Sequence, residues 1–322
     1  MGNRNEFLNK GISFYEAGKY GPAKECFEVG VANGDIESWL YLAKTYYDTN
    51  ETDKAKSTLF GLLAKDPNHA DALQLLSQWQ GQPISSKSEE EGDAPKQNAI
   101  GVFSVGPKKR VTFAPGNLIF KASTGEYDFA YTQFSTMGDK NAQISQYYDD
   151  WIDMFGWGTG DCPYKITEDD SKYRHFANWG EHIQGQWRVL TKDEWVHLLK
   201  ARPNADAKHG FATVNGVRGL MILPDDWKGF FNDQKVDFND NVYANWNQWG
   251  EMEKKGVVFL PFTGMRDGCK YYSSWIGRYW MEEPFGEDSA YLLYISDKGV
   301  DINMAGRRHY GSAVRLVKDL KK

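Results

Sequence analysis

The functional side chains that stand out in this sequence are of types that favour ligand binding and not catalysis. Between residues 271 and 280 the chain carries Tyr271, Tyr272, Trp275 and Arg278 in one short segment. Tyrosine, tryptophan and arginine dominate binding hot spots because each combines a large contact area with a hydrogen-bonding end. The flat apolar face of an aromatic ring also suits stacking on a sugar ring. The segment therefore predicts a recognition surface.

A second group of polar side chains lies just before the end of the chain. Arg307, Arg308, His309 and Tyr310 are consecutive, and they add charge and hydrogen-bonding ends near the aromatic segment. We therefore predict one ligand-binding face from both groups. Its predicted residues are Tyr271, Tyr272, Trp275, Arg278, Asp301, Asn303, Arg307 and His309.

Exposure can be predicted only in part, because in a domain this aromatic about half of such residues must be core. Successive side chains of a strand point to opposite faces, so Tyr279 and Trp280 cannot share one. The residues expected to be exposed are Trp275, Arg278, Asp301, Asn303, Arg307 and His309. Those expected in the core are Trp280, Leu292 and Val314.

Short strands and one strand-to-helix junction must position these residues. The clearest local signal is WRVLTKDEW, residues 187–195. It predicts a strand followed by a helix, because Thr191 to Glu194 form a capping box. Proline at position 203 ends that helix. A terminal strand is predicted over Ser312 to Val317.

The N-terminal third has helical periodicity and hardly any strand signal. Phe7 recurs as Trp39 and Phe27 as Leu59 at one fixed spacing, which predicts a short helical repeat. Residues 81–100 are rich in Pro, Ser, Gly and acidic residues, which is typical of a flexible tether. The predicted domains are a repeat domain over 1–80, an acidic linker over 81–100 and a second domain over 101–322.

Two family resemblances follow from these motifs. Residues 4–80 resemble tetratricopeptide and Sel1-like repeats. WRVLTKDEW, followed by LPDDW, FLPFTGMRDG, GRYW and GSAVRLV, is similar to formylglycine-generating sulfatase-modifying proteins and the Fibrobacter succinogenes major paralogous domain family. Together the resemblances imply two helix-turn-helix repeats plus a cap, followed by an α+β C-type-lectin-like domain.

The catalytic chemistry of the sulfatase-modifying enzymes does not carry over. Those enzymes hold copper with a pair of nearby cysteines, and thiolates suit copper(I). Here Cys26, Cys162 and Cys269 are scattered. The calcium-binding loop of lectins is echoed by Glu283-Pro284-Phe285, which lacks the third oxygen ligand. We therefore expect no metal, no cofactor and no catalytic residue.

Composition narrows the remaining functions. The formal charge of -6 gives no general attraction to nucleic acid, and no apolar run is long enough to span a membrane. We expect a cytoplasmic protein, or a surface-exposed one if a leader has been removed, that binds a protein or glycan through its C-terminal domain. A peptide or protein partner is expected at the repeats. The alternatives are a metal-dependent oxidase with a displaced site and a structural assembly protein organised by the repeats.

Overall fold

The chain divides into two compact units, Met1–Ala94 and Pro95–Lys322. The computed structural model describes residues 4–49, 51–63, 65–66, 69–72, 74–75, 100–159, 163–164, 166–176, 178–228, 230–231, 234–236, 238, 242–244, 246–272 and 275–321. The predicted linker over 81–100 therefore lies outside the described residues except for its last position.

The N-terminal unit is helical. Its helices of eight or more residues are α1 (Arg4–Glu16), α2 (Tyr20–Ala32), α3 (Ile36–Asp48) and α4 (Thr52–Leu63). Helix α3 begins where the Asp35 carboxylate accepts a hydrogen bond from the Ser38 amide at 2.9 Å, which satisfies one of the free amides of its first turn. Ala23, Phe27 and Leu42 form a small core between the helices.

The predicted repeat array is wrong. Equivalent helices of a repeat array bury the same positions, but Leu42 of α3 is buried where the corresponding Lys10 of α1 is exposed. Ser38 and Glu6 differ in the same way. The cap was predicted over Ala70 to Trp79, and half of these ten positions, 73 and 76–79, lie outside the described residues. The chain therefore consists of N-terminal helices followed by a β-rich region, without the predicted repeats.

The C-terminal unit is built mainly from short strands. In chain order they are β1 (Ile100–Gly106), β2 (Lys109–Phe113), β3 (Leu118–Lys121), β4 (Glu126–Phe129), β5 (Trp151–Ile152), β6 (Trp187–Arg188), β7 (His209–Val214), β8 (Val217–Ile222), β9 (Phe230–Phe231), β10 (Gln234–Lys235), β11 (Val242–Ala244), β12 (Val258–Pro261), β13 (Met265–Asp267), β14 (Lys270–Tyr272), β15 (Ile276–Phe285), β16 (Ser289–Ser296), β17 (Gly299–Asp301), β18 (Ala305–Arg307) and β19 (Val317–Asp319). Among the described residues its α-helices are α5 (Lys192–Val196), which continues as a π-helical turn over His197–Ala201, and α6 (Trp246–Lys254). Short 3-10 helices span Gly138–Gln143, Asp170–Tyr173, Trp179–His182 and Ala205–Ala207.

These strands form several small sheets. One has the order β1-β2-β19-β6, a second β11-β7-β8-β12 and a third β4-β3-β5. In a fourth sheet β15, β16 and β17 are neighbours, and β18 also pairs with β16. All of these pairs are antiparallel except β11 with β7. Strand β19 pairs with β2 on one side and with β6 on the other, so the last strand lies inside the first sheet and not at its edge.

Strand β15 separates two hydrophobic cores. Tyr279 belongs to the core that contains Trp195, whereas Trp280 belongs to the core that contains Leu292 and Val314. The opposite orientation predicted for Tyr279 and Trp280 is confirmed, and both are buried because each face of the strand is covered. The predicted core positions Trp280, Leu292 and Val314 are confirmed as well.

The strand-to-helix junction at residues 187–195 is also confirmed. The Thr191 hydroxyl accepts a hydrogen bond from the Glu194 amide at 3.2 Å, and the Glu194 carboxylate accepts one from the Thr191 amide at 3.0 Å. The predicted terminal strand is shifted, because regular pairing begins only at Val317 and Ser312 forms an isolated bridge with Phe155.

Candidate functional site

Strand β13 brings the two predicted binding segments together. The Gly264 amide donates to the Ile276 carbonyl at 2.8 Å, which places β13 beside the start of β15. Arg266 and Gly311 also exchange two backbone hydrogen bonds of 3.0 and 2.8 Å. The polar segment around His309 therefore lies beside β13, and the residues that follow it also pair with β15.

Register shows which side chains share a side of this assembly. Met265 pairs with Tyr272, and Arg278 pairs with Tyr294. Directly paired residues on antiparallel strands project to the same side. Met265 also contacts Arg278 through its sulfur. We use the name Arg278 face for the surface formed by Met265, Tyr272, Arg278, Tyr294 and Tyr310, with Trp275 in the turn that precedes β15.

The predicted exposed residues divide into two groups. Trp275 is 75% exposed, and Asp301, Asn303 and Arg307 are also exposed. The prediction is wrong for Arg278 and His309, which are 7% and 5% exposed. Arg278 lies two residues before the core residue Trp280 and therefore on the same side of β15. His309 is covered by Asp170, which is distant in sequence.

Among the described residues, buried Arg278 has no oxygen partner. Its Nη1 contacts Met265 Sδ at 2.8 Å, its guanidinium carbon lies 5.3 Å from the centre of the Tyr310 ring, and its Nε has no hydrogen-bond acceptor. Burial lowers the pKa of Arg278, and only the tyrosine hydroxyls of Tyr310 and Tyr294 oppose this shift. Sulfur is a weak acceptor, so the positive charge is only poorly compensated.

The other buried arginines of the described chain all donate to oxygen. Arg202 pairs with Asp225 at 3.2 Å, and Arg266 donates to the Gly268 carbonyl at 3.0 Å. Arg308 donates to three backbone carbonyls, and Arg315 donates five hydrogen bonds to neutral oxygens. Arg278 is thus the exception among these five, since buried charges are normally paired or hydrogen-bonded.

His309 holds the adjacent turn in place. Its Nδ1 lies 2.7 Å from Asp170 Oδ1, and its backbone amide donates to the same oxygen at 3.0 Å. Arg307 Nη1 lies 3.4 Å from the other oxygen of Asp170. Asp170 is 6% exposed. Asp170 therefore positions His309 and Arg307, and sequence reasoning missed it because Asp170 and His309 are far apart in the chain.

The Asp170–His309 pair does not form a catalytic triad within the described part of the chain. The other ring nitrogen, His309 Nε2, lies 3.4 Å from Asp267 Oδ1. A carboxylate already carries no proton for histidine to remove, unlike a serine hydroxyl or a cysteine thiol. The pair is therefore best described as a structural clamp on the turn.

Tyr271 lies apart from Arg278, whereas Asp301 pairs in register with Tyr294 and therefore projects to the same side as Arg278. Tyr271 pairs in register with Arg266 on the opposite side of the β13–β14 hairpin, and its hydroxyl donates to the Thr263 carbonyl at 3.2 Å. Burial raises the pKa of Tyr271 to about 12. Asp301 accepts a hydrogen bond from the Asn303 amide at 2.8 Å, which makes this pair a local turn.

The described residues hold no group of three or more His, Cys, Asp or Glu side chains that could bind a metal ion. Glu283, part of the calcium-like motif, is used elsewhere: both of its carboxylate oxygens accept the Lys192 amide, at 3.0 and 2.9 Å. Cys26 is buried and Cys269 is exposed, while Cys162 lies outside the described residues. No described helix is long and apolar enough to cross a membrane.

A separate pocket of about 380 Å³ carries several charges. Its arginine, Arg188, donates to Glu194 and to Asp319, with shortest distances of 2.7 Å in both cases. Lys109 adds a longer contact to Glu194 at 3.4 Å. Because its central charges neutralise one another, this pocket has less need of a charged ligand than Arg278.

The N-terminal unit has its own groove of about 470 Å³. Tyr15, Tyr41 and Tyr47 line it together with Lys44 and Asp48. The Tyr15 hydroxyl donates to Asp48 at 2.5 Å, and burial raises the pKa of Tyr15.

Comparisons with family models, curated proteins and solved structures found no match. The resemblance of the C-terminal unit to lectin-like and sulfatase-modifying proteins therefore stays a prediction, and the function must be argued from the geometry of the Arg278 face.

Proposed function

We propose that this chain is a non-catalytic ligand-recognition protein that binds a glycan or a protein through the Arg278 face. The observation that carries the proposal is the buried guanidinium of Arg278, which donates to no oxygen in the described chain. A site of this kind has an unsatisfied charge that a ligand can satisfy.

Exposed aromatic rings support this proposal. Trp275 is 75% exposed and Tyr272 is 47% exposed, although large aromatic side chains usually bury most of their surface. Tyr272 pairs in register with Met265, whose sulfur contacts Arg278, and Trp275 lies three residues before Arg278 in the chain. A central charged anchor with aromatic surroundings is the usual composition of a binding hot spot.

The experiment is a binding screen of the full chain on arrays of oligosaccharides and of peptides. It compares the wild type with the double variant Trp275→Ala, Tyr272→Ala and with Tyr147→Ala. Tyr147 is 80% exposed and lies far from β13 and β15 in sequence, so it controls for the loss of an exposed aromatic ring.

We expect the double variant to lose at least tenfold in affinity for whatever the wild type binds, while Tyr147→Ala binds like the wild type. Equal binding by all three proteins would move the function away from this face. A screen in which no glycan and no peptide binds would contradict the proposal.

The groove of the N-terminal unit supports a second, protein-binding role. Three tyrosines with hydrogen-bonding ends line it, and such side chains favour contact with a peptide. Replacing Tyr47 with Ala should then weaken binding of a peptide found on the array without changing glycan binding. Unchanged peptide binding would contradict this role.

A further inference from the structure

We infer that the ligand of the Arg278 face carries a carboxylate on a sugar ring, as in a uronic acid oligosaccharide. This inference rests on the proposed function and names the chemical class of the ligand. Its basis is the combination of a buried guanidinium that lacks an anion with aromatic and thioether surfaces packed around it.

The unpaired guanidinium of Arg278 restricts the charge of the ligand. Arginine offers a rigid fork of donors that matches a carboxylate or a phosphate with two parallel hydrogen bonds. Arg278 Nε is buried and has no acceptor, and no described carboxylate forms an ion pair with this guanidinium. A monoanionic planar group fits a single guanidinium, whereas phosphate sites usually add further cations or backbone amides.

The side chains around Arg278 restrict the shape of the ligand. The Arg278 guanidinium lies beside the Tyr310 ring at 5.3 Å and against Met265 Sδ at 2.8 Å. The exposed ring of Tyr272 belongs to the register partner of Met265, and the exposed ring of Trp275 lies three residues before Arg278 in the chain. A uronic acid places its carboxylate directly on a ring with apolar C–H faces. One uronic acid residue thus provides both the negative charge and the apolar stacking surface that the Arg278 face requires.

The backbone of strand β15 favours a glycan over a peptide. The Arg278 carbonyl already accepts from the Ala313 amide at 2.9 Å, and its amide donates to the Thr263 hydroxyl at 3.4 Å. The strand also pairs with β16. A peptide therefore cannot add here as a new strand, which is a common way for folded domains to bind extended peptides.

Gly306 keeps the guanidinium in place. A side-chain carbon on Gly306 would lie 2.2 Å from Arg278 Nη2, which is too close for any real contact. Glycine at this position therefore lets β18 pass directly over the charged group. Gly306→Ala should displace the guanidinium without removing its charge.

The test is calorimetric titration of the full chain with three probes: tri-galacturonic acid, its methyl ester and tri-glutamate. The ester has the same rings without the charge, and tri-glutamate has the charge without the rings. The variants are Arg278→Met and Arg278→Gln, with Arg110→Met as a control, because Arg110 is exposed and its replacement changes net charge equally.

We expect the wild type to bind the acid at least tenfold more tightly than the ester. Both Arg278 variants should bind the acid as weakly as the ester, Gly306→Ala should weaken binding of the acid, and Arg110→Met should bind like the wild type. Two variants at position 278 are used so that misfolding of one does not decide the result, and the ester comparison needs no variant.

Other outcomes overturn the inference in distinguishable ways. Equal affinity for acid and ester, with loss of both in the Trp275→Ala, Tyr272→Ala variant, would leave the proposed function standing and refute the carboxylate. Binding of tri-glutamate alone, dependent on Arg278, would refute the sugar. No binding of any of the three probes would overturn the inference, while the array screen decides the proposed function separately.

Discussion

Arg278 and Arg315 reach the interior from adjacent segments, which are joined by the hydrogen bond of 2.9 Å from the Ala313 amide to the Arg278 carbonyl. Arg315 donates to oxygens of Asn117, Ala114, Gln133 and Phe259, whereas within the part of the chain that the structure describes Arg278 donates only to the sulfur of Met265. Every guanidinium nitrogen of Arg315 thus has an oxygen acceptor, whereas the guanidinium of Arg278 has none among the described residues. We therefore interpret Arg315 as structural and Arg278 as the residue that is available to a ligand.

This contrast predicts opposite effects of the same substitution. Arg315→Met should lower the free energy of unfolding by roughly 3–5 kcal/mol, because it leaves buried acceptors without a donor. Arg278→Met should leave the free energy of unfolding unchanged or raise it by up to about 2 kcal/mol, because it removes a poorly compensated charge.

Urea denaturation followed by tryptophan fluorescence measures both effects, since most of the tryptophans lie in the C-terminal unit. If Arg278→Met destabilised the protein as much as Arg315→Met does, Arg278 would be a structural residue and the binding proposal would lose its main support.

The buried Trp195 of α5 should contribute strongly to stability. It is 1% exposed, and its ring lies 6.0 Å from that of Phe113. Trp195→Ala should lower the free energy of unfolding by roughly 3–5 kcal/mol, because it removes a large apolar side chain and leaves a cavity. The exposed Tyr147→Ala should change it by less than about 0.5 kcal/mol. A loss of under about 1 kcal/mol for Trp195→Ala would contradict its place in the core.

The capping box at the start of α5 should have a smaller, specific effect. Thr191→Ala removes the acceptor of the Glu194 amide and should cost about 1 kcal/mol of the free energy of unfolding. Thr191→Ser keeps a hydroxyl and should cost much less. Thermal denaturation of the two variants measures the difference, and equal melting temperatures would show that the hydroxyl contributes nothing.

Asp153 should make stability depend on pH. It is fully buried, and burial raises its pKa from 3.8 to about 6, although Asn141 and the Met137 amide oppose the shift by donating hydrogen bonds. Because the folded state binds the proton more tightly than the unfolded state, the stabilisation is complete below pH 3.8 and is lost as the pH rises through about 6.

Asp153→Asn is uncharged at every pH and isolates this effect. Relative to that variant, the wild type should lose roughly 2 kcal/mol in free energy of unfolding between pH 4 and pH 7.5. Chemical denaturation at several pH values measures the difference. A difference between the two proteins that stays constant over this range would show that the pKa of Asp153 is not raised.

Local features of the fold could be read from the sequence. The junction at residues 187–195 was predictable because a capping box is formed by residues three apart. The opposite orientation of Tyr279 and Trp280 followed from strand alternation. The end of the chain was less predictable, because Ser312 is held by Phe155 and not by a regular strand neighbour.

Long-range contacts could not be read in this way. Strand alternation gives the side on which Arg278 lies, but its burial depends on Met265, Tyr310 and Gly306 from other segments. His309 is buried by its contact with Asp170, which no local sequence pattern predicts. In the N-terminal unit, recurring aromatic residues predicted a repeat, although the burial of neighbouring positions does not recur.

The measurement that tests the central claim most directly is the NMR signal of the Arg278 Nε–H group, assigned through Arg278→Lys. On addition of tri-galacturonic acid to the full chain, this proton should move downfield because it gains a carboxylate acceptor, while the Arg315 Nε–H, already bonded to Asn117 at 3.0 Å, should not move. An Arg278 signal that stays unchanged at saturating tri-galacturonic acid would contradict the assignment of this guanidinium as the anchor of the ligand.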